Sequence, residues 1–228
     1  MTRRTNARIA GLTFLLYIAV ALPSTILFGK AASGEGPVAR LGSIAQHTVQ
    51  MRVAIVLSLA SCFAAIVLAI TLYALTREQD RDIALIGFAC RLGEGLLGGT
   101  FILTKLELLW LATASGASAP DTGGTQALAM LLFSGTRAWN IAMSATFFAV
   151  GSWAFSWLLL RGRMIPAPLA WIGVAASVVL VIGLPLQLTE LIGAPLTSMM
   201  WAPMLVFEVP LGFWLLFKGV GSPAPVIR

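Results

Sequence analysis

Six apolar stretches, each long enough to cross a lipid bilayer, constrain this chain more than any other feature of its sequence. A membrane-spanning helix needs about 20 predominantly apolar residues. Lipid cannot satisfy the hydrogen bonds of an open backbone, so each spanning segment is expected to be helical. We therefore predict an all-α fold, a polytopic transmembrane bundle of six helices. The apolar stretches cover approximately residues 8–28, 53–75, 83–111, 138–160, 167–186 and 199–217.

The composition excludes an ordinary soluble protein. Of the 228 residues, 58% are hydrophobic and only 11% are charged, whereas a soluble domain carries about 25% charged residues. The net charge of +6 does not indicate nucleic-acid binding, because the basic residues form no patch with interleaved aromatics. We predict one integral-membrane helical domain over 6–220 and a cytoplasmic tail over 221–228, with the lipid bilayer as the surroundings and no nucleic-acid partner.

The distribution of basic residues predicts the orientation in the membrane. With the N-terminus inside, the cytoplasmic segments hold nine basic residues and the outer segments hold three, and this asymmetry favours cytoplasmic N- and C-termini. Basic residues before the first apolar stretch also resemble a signal peptide, but that stretch is longer than the 7–15 residues or so of a signal-peptide core. The inner set is Arg3, Arg4, Arg8, Arg77, Arg81, Arg161, Arg163, Lys218 and Arg228; the outer set is Lys30, Arg40 and Arg52.

The connections between the apolar stretches differ in length. The inner connections 77–82 and 161–166 are short and predict tight antiparallel helical hairpins. The outer segment 29–51 has room for a short surface helix around 41–50, and 113–125 is rich in Ser, Gly and Pro, which predicts a flexible loop.

The third apolar stretch carries charged residues where the membrane centre is expected. Arg91, Glu94 and Lys105 fall near one helix face, because spacings of three, four and seven stay aligned in a helix. Glu208 in the sixth stretch lies about 15 Å from its cytoplasmic end, at the level of Arg91. A charge at the bilayer centre costs about 2.5–3.5 kcal/mol. We therefore expect Arg91 to pair with Glu94, Glu208 or both.

Arg91, Glu94 and Glu208 form a candidate intramembrane polar cluster with two interpretations. The first is structural: an ion pair fixes the register of the helices in a non-enzymatic membrane protein. The second is functional: a small transporter or proton-coupled permease uses Glu94 or Glu208, since ionisable residues inside a membrane commonly line ion and substrate pathways. Nearby, Gly95 and Gly99 form a GxxxG pattern that predicts close approach of another helix.

No catalytic or metal-binding motif accompanies these charges. His47 is the only histidine, Cys62 and Cys90 form no CxxC pair, and the chain has no GxSxG, HExxH or phosphate-binding loop. We predict no cofactor and no metal site. The sequence does not define a protein partner or a small-molecule substrate.

Four short segments resemble one family. ARIAGLTFLLYI at 7–18, CRLGEG at 90–95, MIPAPLAWIGV at 164–174 and EVPLGFWLLFKGV at 208–220 are similar to the domain of unknown function 4386, a bacterial family of small multi-pass membrane proteins. The resemblance implies a helical bundle in the bacterial cytoplasmic membrane. Arg91, Glu94 and Glu208 match polar positions of the family, which implies no activity for them.

Overall fold

The computed structural model describes residues 2–115 and 121–221, without the side chains of 134–141, 194–195 and 197. These residues form seven helices: α1 (Arg3–Ala31), α2 (Gly36–Gln46), α3 (Thr48–Thr76), α4 (Arg81–Thr113), α5 (Thr122–Arg161), α6 (Ala167–Leu188) and α7 (Ala194–Phe217). All but α2 contain a stretch long and apolar enough to cross a membrane. The predicted all-α bundle of six membrane-spanning helices is confirmed.

The two short inner connections form the predicted hairpins. Four residues separate α3 from α4, and five separate α5 from α6. Asp80 starts α4 by accepting the backbone N–H groups of Asp82 and Ile83, which is the usual role of Asp at a helix N-terminus. Arg161 bonds to the same Asp80 carboxylate at 3.2 Å, and Arg3 bonds to Glu78 at 3.1 Å. Surface ion pairs link α1, α5 and the α3–α4 turn at this end.

The outer connections differ from the prediction in where their helices begin. The surface helix α2 lies at Gly36–Gln46 rather than 41–50, and α5 begins at Thr122 rather than near 138. Asp121 accounts for the early start of α5, because its side chain accepts the N–H of Gly124 at 2.7 Å. Of the predicted loop 113–125, residues 116–120 lie outside the described residues and 122–125 are helical.

The six spanning helices form a ring in chain order. Each of α3, α4, α5, α6 and α7 packs on the spanning helix before it, and α7 closes the ring on α1. The short helix α2 covers one end and packs mainly on α4 and α5. One cluster of buried apolar side chains lies beneath α2, and a larger one extends to the opposite end. Buried charged side chains lie between these two apolar clusters: Arg91, Glu94, Lys105 and Glu208.

Glycines set the closest helix contacts. A Cβ on Gly11 of α1 would collide with the backbone nitrogen of Leu216 and lie 2.6 Å from the carbonyl oxygen of Gly212, both in α7. Gly95 of α4 faces the carbonyl oxygen of Cys62, with 3.1 Å for an added Cβ. Gly99 has no atom within 4 Å of such a Cβ. The GxxxG prediction is therefore right for Gly95 and wrong for Gly99, because Gly99 lies on a part of the α4 surface that no neighbouring atom approaches.

We predict opposite outcomes for two glycine-to-alanine changes. Gly11→Ala forces α1 away from the α7 backbone and should lower the free energy of unfolding by about 1–3 kcal/mol, as overpacking does. Gly99→Ala meets open space and should change it by no more than about 0.5 kcal/mol. Unfolding of the purified protein in detergent measures both, and equal losses would contradict the proposed α1–α7 contact.

Candidate functional site

The three charged residues on one face of α4 are all buried in the ring. Arg91 is 1% exposed, Glu94 4% and Lys105 2%. Eleven residues make just over three helical turns, so Glu94 and Lys105 share a face and lie about 16 Å apart along the axis. Glu107 is exposed on another face, as its spacing predicts. Burial of this kind requires a partner for each charge.

Arg91 and Glu94 neutralise each other. Arg91 Nη1 donates to Glu94 Oε2 at 2.8 Å, and the Tyr17 hydroxyl donates to Glu94 Oε1 at 2.8 Å. The guanidinium also lies over the Phe148 ring, 4.8 Å from its centre. Both carboxylate oxygens thus have a donor, which an ion pair needs if it is to survive removal from water.

Glu208 lies beside Arg91 without pairing to it. The two side chains line one cleft of about 10 Å³ whose wall comes from α1, α3, α4, α5 and α7. In the described part of the chain, Glu208 Oε1 and Arg91 Nε and Nη2 are buried with no hydrogen-bond partner. The sequence predicts Glu94, Glu208 or both as partners of Arg91, and in the structure Arg91 pairs with Glu94 on the same helix.

Lys105 is held by hydroxyl groups and aromatic rings. Its Nζ donates to Ser58 Oγ at 2.6 Å and to Ser24 Oγ at 3.3 Å. The rings of Phe28 and Phe101 lie 5.1 and 4.8 Å from Nζ. Its spacing places Lys105 on the charged face of α4, but the predicted cluster contained only Arg91, Glu94 and Glu208. Its signal would have been Ser24 and Ser58, polar residues in otherwise apolar stretches.

A cavity of about 300 Å³ joins these groups in the half of the ring nearer α2. Its wall comes from five helices, α1, α3, α4, α5 and α7. Glu94 lines it near the middle of the bundle, and Lys105 lines it towards α2. The other polar side chains on the wall are Tyr17, Ser24, Thr25, Ser58, Ser61, Cys62 and Ser144. Arg91 is not on the wall, so it supports the cavity from behind Glu94.

Metal ligands do not come together in the part of the chain that the structure describes. No group of three His, Cys, Asp or Glu side chains there could hold an ion. Cys62 and Cys90 are both half-buried free thiols. The predicted lack of a cofactor and the roles of Arg91, Glu94 and Glu208 stay predictions.

The fold and the site together define a multi-pass helical membrane protein that encloses a polar cavity. A family model described as a domain of unknown function, DUF4386, matches residues 9–219. The chain belongs to this family. No curated protein and no solved structure matches the chain. The description of the family states no activity, so a function has to be inferred from the cavity and the residues that line it.

We predict strong energetic coupling between Arg91 and Glu94. Arg91→Met and Glu94→Gln should each lower the free energy of unfolding by about 3–5 kcal/mol, because each leaves a buried partner uncompensated. The double variant should lose less than the sum of the two. Unfolding of all four proteins in detergent gives the coupling energy, which reaches about 0.5–3 kcal/mol for residues in contact.

A parallel cycle with Arg91→Met and Glu208→Gln is the control. It should give the smaller coupling, since no ion pair joins Arg91 to Glu208 in the described structure. A larger coupling energy for Arg91 and Glu208 than for Arg91 and Glu94 would contradict the pairing of Arg91 with Glu94.

Proposed function

We propose that the protein is a small non-enzymatic membrane transporter that binds its solute in the cavity lined by Glu94 and Lys105. One observation carries the proposal: two buried groups of opposite charge line the same intramembrane cavity. Ionisable side chains that face a cavity within a membrane commonly mark a substrate pathway. At about 300 Å³, the cavity is at the lower end of ligand-pocket sizes, which favours a small solute.

A purely structural role explains only part of the site. The Arg91–Glu94 pair by itself fits an ion pair that fixes helix register. Protein interiors are close-packed, however, and leave few voids larger than a water molecule. An ion pair that only fixes helix register needs no cavity beside it. It also needs no second buried cation such as Lys105, three turns further along α4. The structural pair is better understood as the support that holds Glu94 at the cavity wall.

We also propose that the protein lies in the bacterial cytoplasmic membrane with both termini inside. The nine-to-three distribution of basic residues and the family resemblance support this orientation. Segment 221–228 is then a cytoplasmic tail, α2 lies on the outer face, and the cavity belongs to the outer half of the bilayer.

Cys62 provides a native reporter for this proposal. It lines the cavity, whereas Cys90 is not on its wall. A transporter exposes its site to each side in turn, and the reactive thiolate forms where water reaches the sulfur. In the Cys90→Ser variant, an impermeant anionic methanethiosulfonate should therefore modify Cys62 both in spheroplasts and in inside-out vesicles.

The matched control is Cys62→Ser, in which the remaining Cys90 should stay unmodified from either side. Modification of Cys62 from one side alone would indicate a binding site that does not transport. Modification from neither side would show a cavity closed to water and would overturn the proposal.

Proton coupling through Glu208 is the more specific form of the proposal. Arg91 lies between Glu94 and Glu208 and pairs with one of them, so a change in protonation of either acid can alter that choice. We expect proton uptake into proteoliposomes under an imposed membrane potential, measured with an enclosed pH dye, to fall to the level of protein-free vesicles in Glu208→Gln. Glu107→Gln changes an exposed acid of α4 and should leave uptake unchanged; equal loss in both variants would contradict the assignment.

A further inference from the structure

An apolar groove of about 410 Å³ lies between α1 and α7, the first and last helices of the ring. Its wall is mainly hydrocarbon, with Ile18 and Leu22 from α1 and Met204 and Leu205 from α7. Leu22 and Leu205 are exposed on the outside of the bundle. In a membrane this surface faces lipid, so the groove is open to hydrocarbon chains from the bilayer.

The groove and the polar cavity are neighbours. Four residues line both of them: Tyr17, Ala21, Phe148 and Trp201. These side chains form the partition between the lipid-facing side and the polar interior. A ligand that occupied both spaces would need an apolar part for the groove and a polar part for the cavity.

The contact between α1 and α7 explains why a groove exists here. Their backbones approach closely at Gly11 and Gly212, and the groove begins at Tyr17 and Glu208, on the side nearer α2. The two helices are in contact at the glycine end, and nearer α2 the side chains that line the groove lie between them. A water molecule occupies roughly 30 Å³ in the liquid, and a methylene group is of similar size. The groove therefore has room for on the order of a dozen methylene groups.

The polar cavity favours an anion at its Lys105 end. The ammonium group and the hydroxyls of Ser24 and Ser58 converge there within 3.3 Å of one another. In this structure both hydroxyls donate to the carbonyl oxygen of Ala54 and accept from Lys105. The ammonium group is therefore the donor that attracts a carboxylate or phosphate oxygen, through charge-assisted hydrogen bonds. Glu94 does not oppose an anion there, because Arg91 and Tyr17 occupy its oxygens and it lies about 16 Å away along α4.

We propose that the ligand of this cavity is a single-chain amphiphile with an anionic headgroup, and that it enters from the bilayer between α1 and α7. The headgroup binds at Lys105, Ser24 and Ser58, and the hydrocarbon chain lies in the groove. This inference rests on the proposed function, since it names the class of solute that the cavity takes. Trp201 and Phe148 must move apart for the ligand to pass between the two spaces.

Tryptophan quenching by a brominated long-chain carboxylate tests this inference. Trp201, one of seven tryptophans, lies on both walls. In phosphatidylcholine nanodiscs, dibromostearate should quench the purified full-length protein saturably, and Trp201→Phe should remove that saturable component. The methyl ester of the same acid, which lacks the charge, should bind at least tenfold more weakly.

Two variants separate the headgroup site from the groove. Lys105→Met should weaken dibromostearate binding at least tenfold while leaving the methyl ester unchanged. Ala202→Phe fills the groove and should abolish saturable quenching by both compounds. Ala19→Phe adds the same ring to an exposed alanine of α1 outside the groove and should bind like the wild type. Helical content and melting temperature of every variant confirm that each is folded.

The outcomes distinguish this inference from the function on which it rests. Equal affinity for acid and ester, or no effect of Lys105→Met, overturns the anionic headgroup. Saturable quenching that survives Ala202→Phe overturns the groove. If propionate, which has no long chain, protects Cys62 from the thiol reagent while dibromostearate does not quench Trp201, the transporter proposal stands and the amphiphile is wrong. If Cys62 never reacts, the transporter proposal itself fails.

Discussion

The burial of the Arg91 guanidinium in the middle of the bundle is the constraint on which the surrounding structure depends. A cation buried there needs compensating partners, and Glu94 supplies a carboxylate one turn along the same helix. Tyr17 of α1 occupies the other carboxylate oxygen, and Phe148 of α5 covers the guanidinium. Gly151 of α5 leaves room, since a Cβ there would lie 2.9 Å from Arg91 Cγ. One charge thereby fixes how α1, α4 and α5 approach each other.

The two buried cations of α4 are stabilised in different ways, and the difference gives the site its chemistry. Arg91 has a charged partner on its own helix, so the pair is neutral in this structure. Lys105 donates to hydroxyls from α1 and α3 and lies against aromatic faces, and ligand oxygens can replace these hydroxyl oxygens as acceptors. The Glu94 end of the cavity is therefore already neutralised, and the Lys105 end is where an anion can bind.

Features that are local in sequence could be predicted, and features that depend on helix rotation could not. Length and apolarity gave the six spans, and the three-residue spacing put Glu94 within reach of Arg91. The sequence also placed Glu208 at the right depth, but depth does not determine which side of α7 faces Arg91. Likewise, the GxxxG pattern does not show which of its two glycines faces a neighbouring helix. Ser24 and Ser58 are visible as polar residues in apolar stretches, but the sequence does not show that they face Lys105 of α4.

The connectivity of the ring explains why the apolar groove lies between α1 and α7. Neighbouring helices elsewhere are joined by chain, and the α3–α4 and α5–α6 turns are four and five residues long. The first and last helices have no connection to each other, so only side-chain and backbone packing holds them together. That packing is tightest at Gly11 and Gly212, at the end away from α2. The α1–α7 boundary is therefore closed at its glycine contact and grooved nearer α2, where four shared side chains separate the polar cavity from the lipid-facing side.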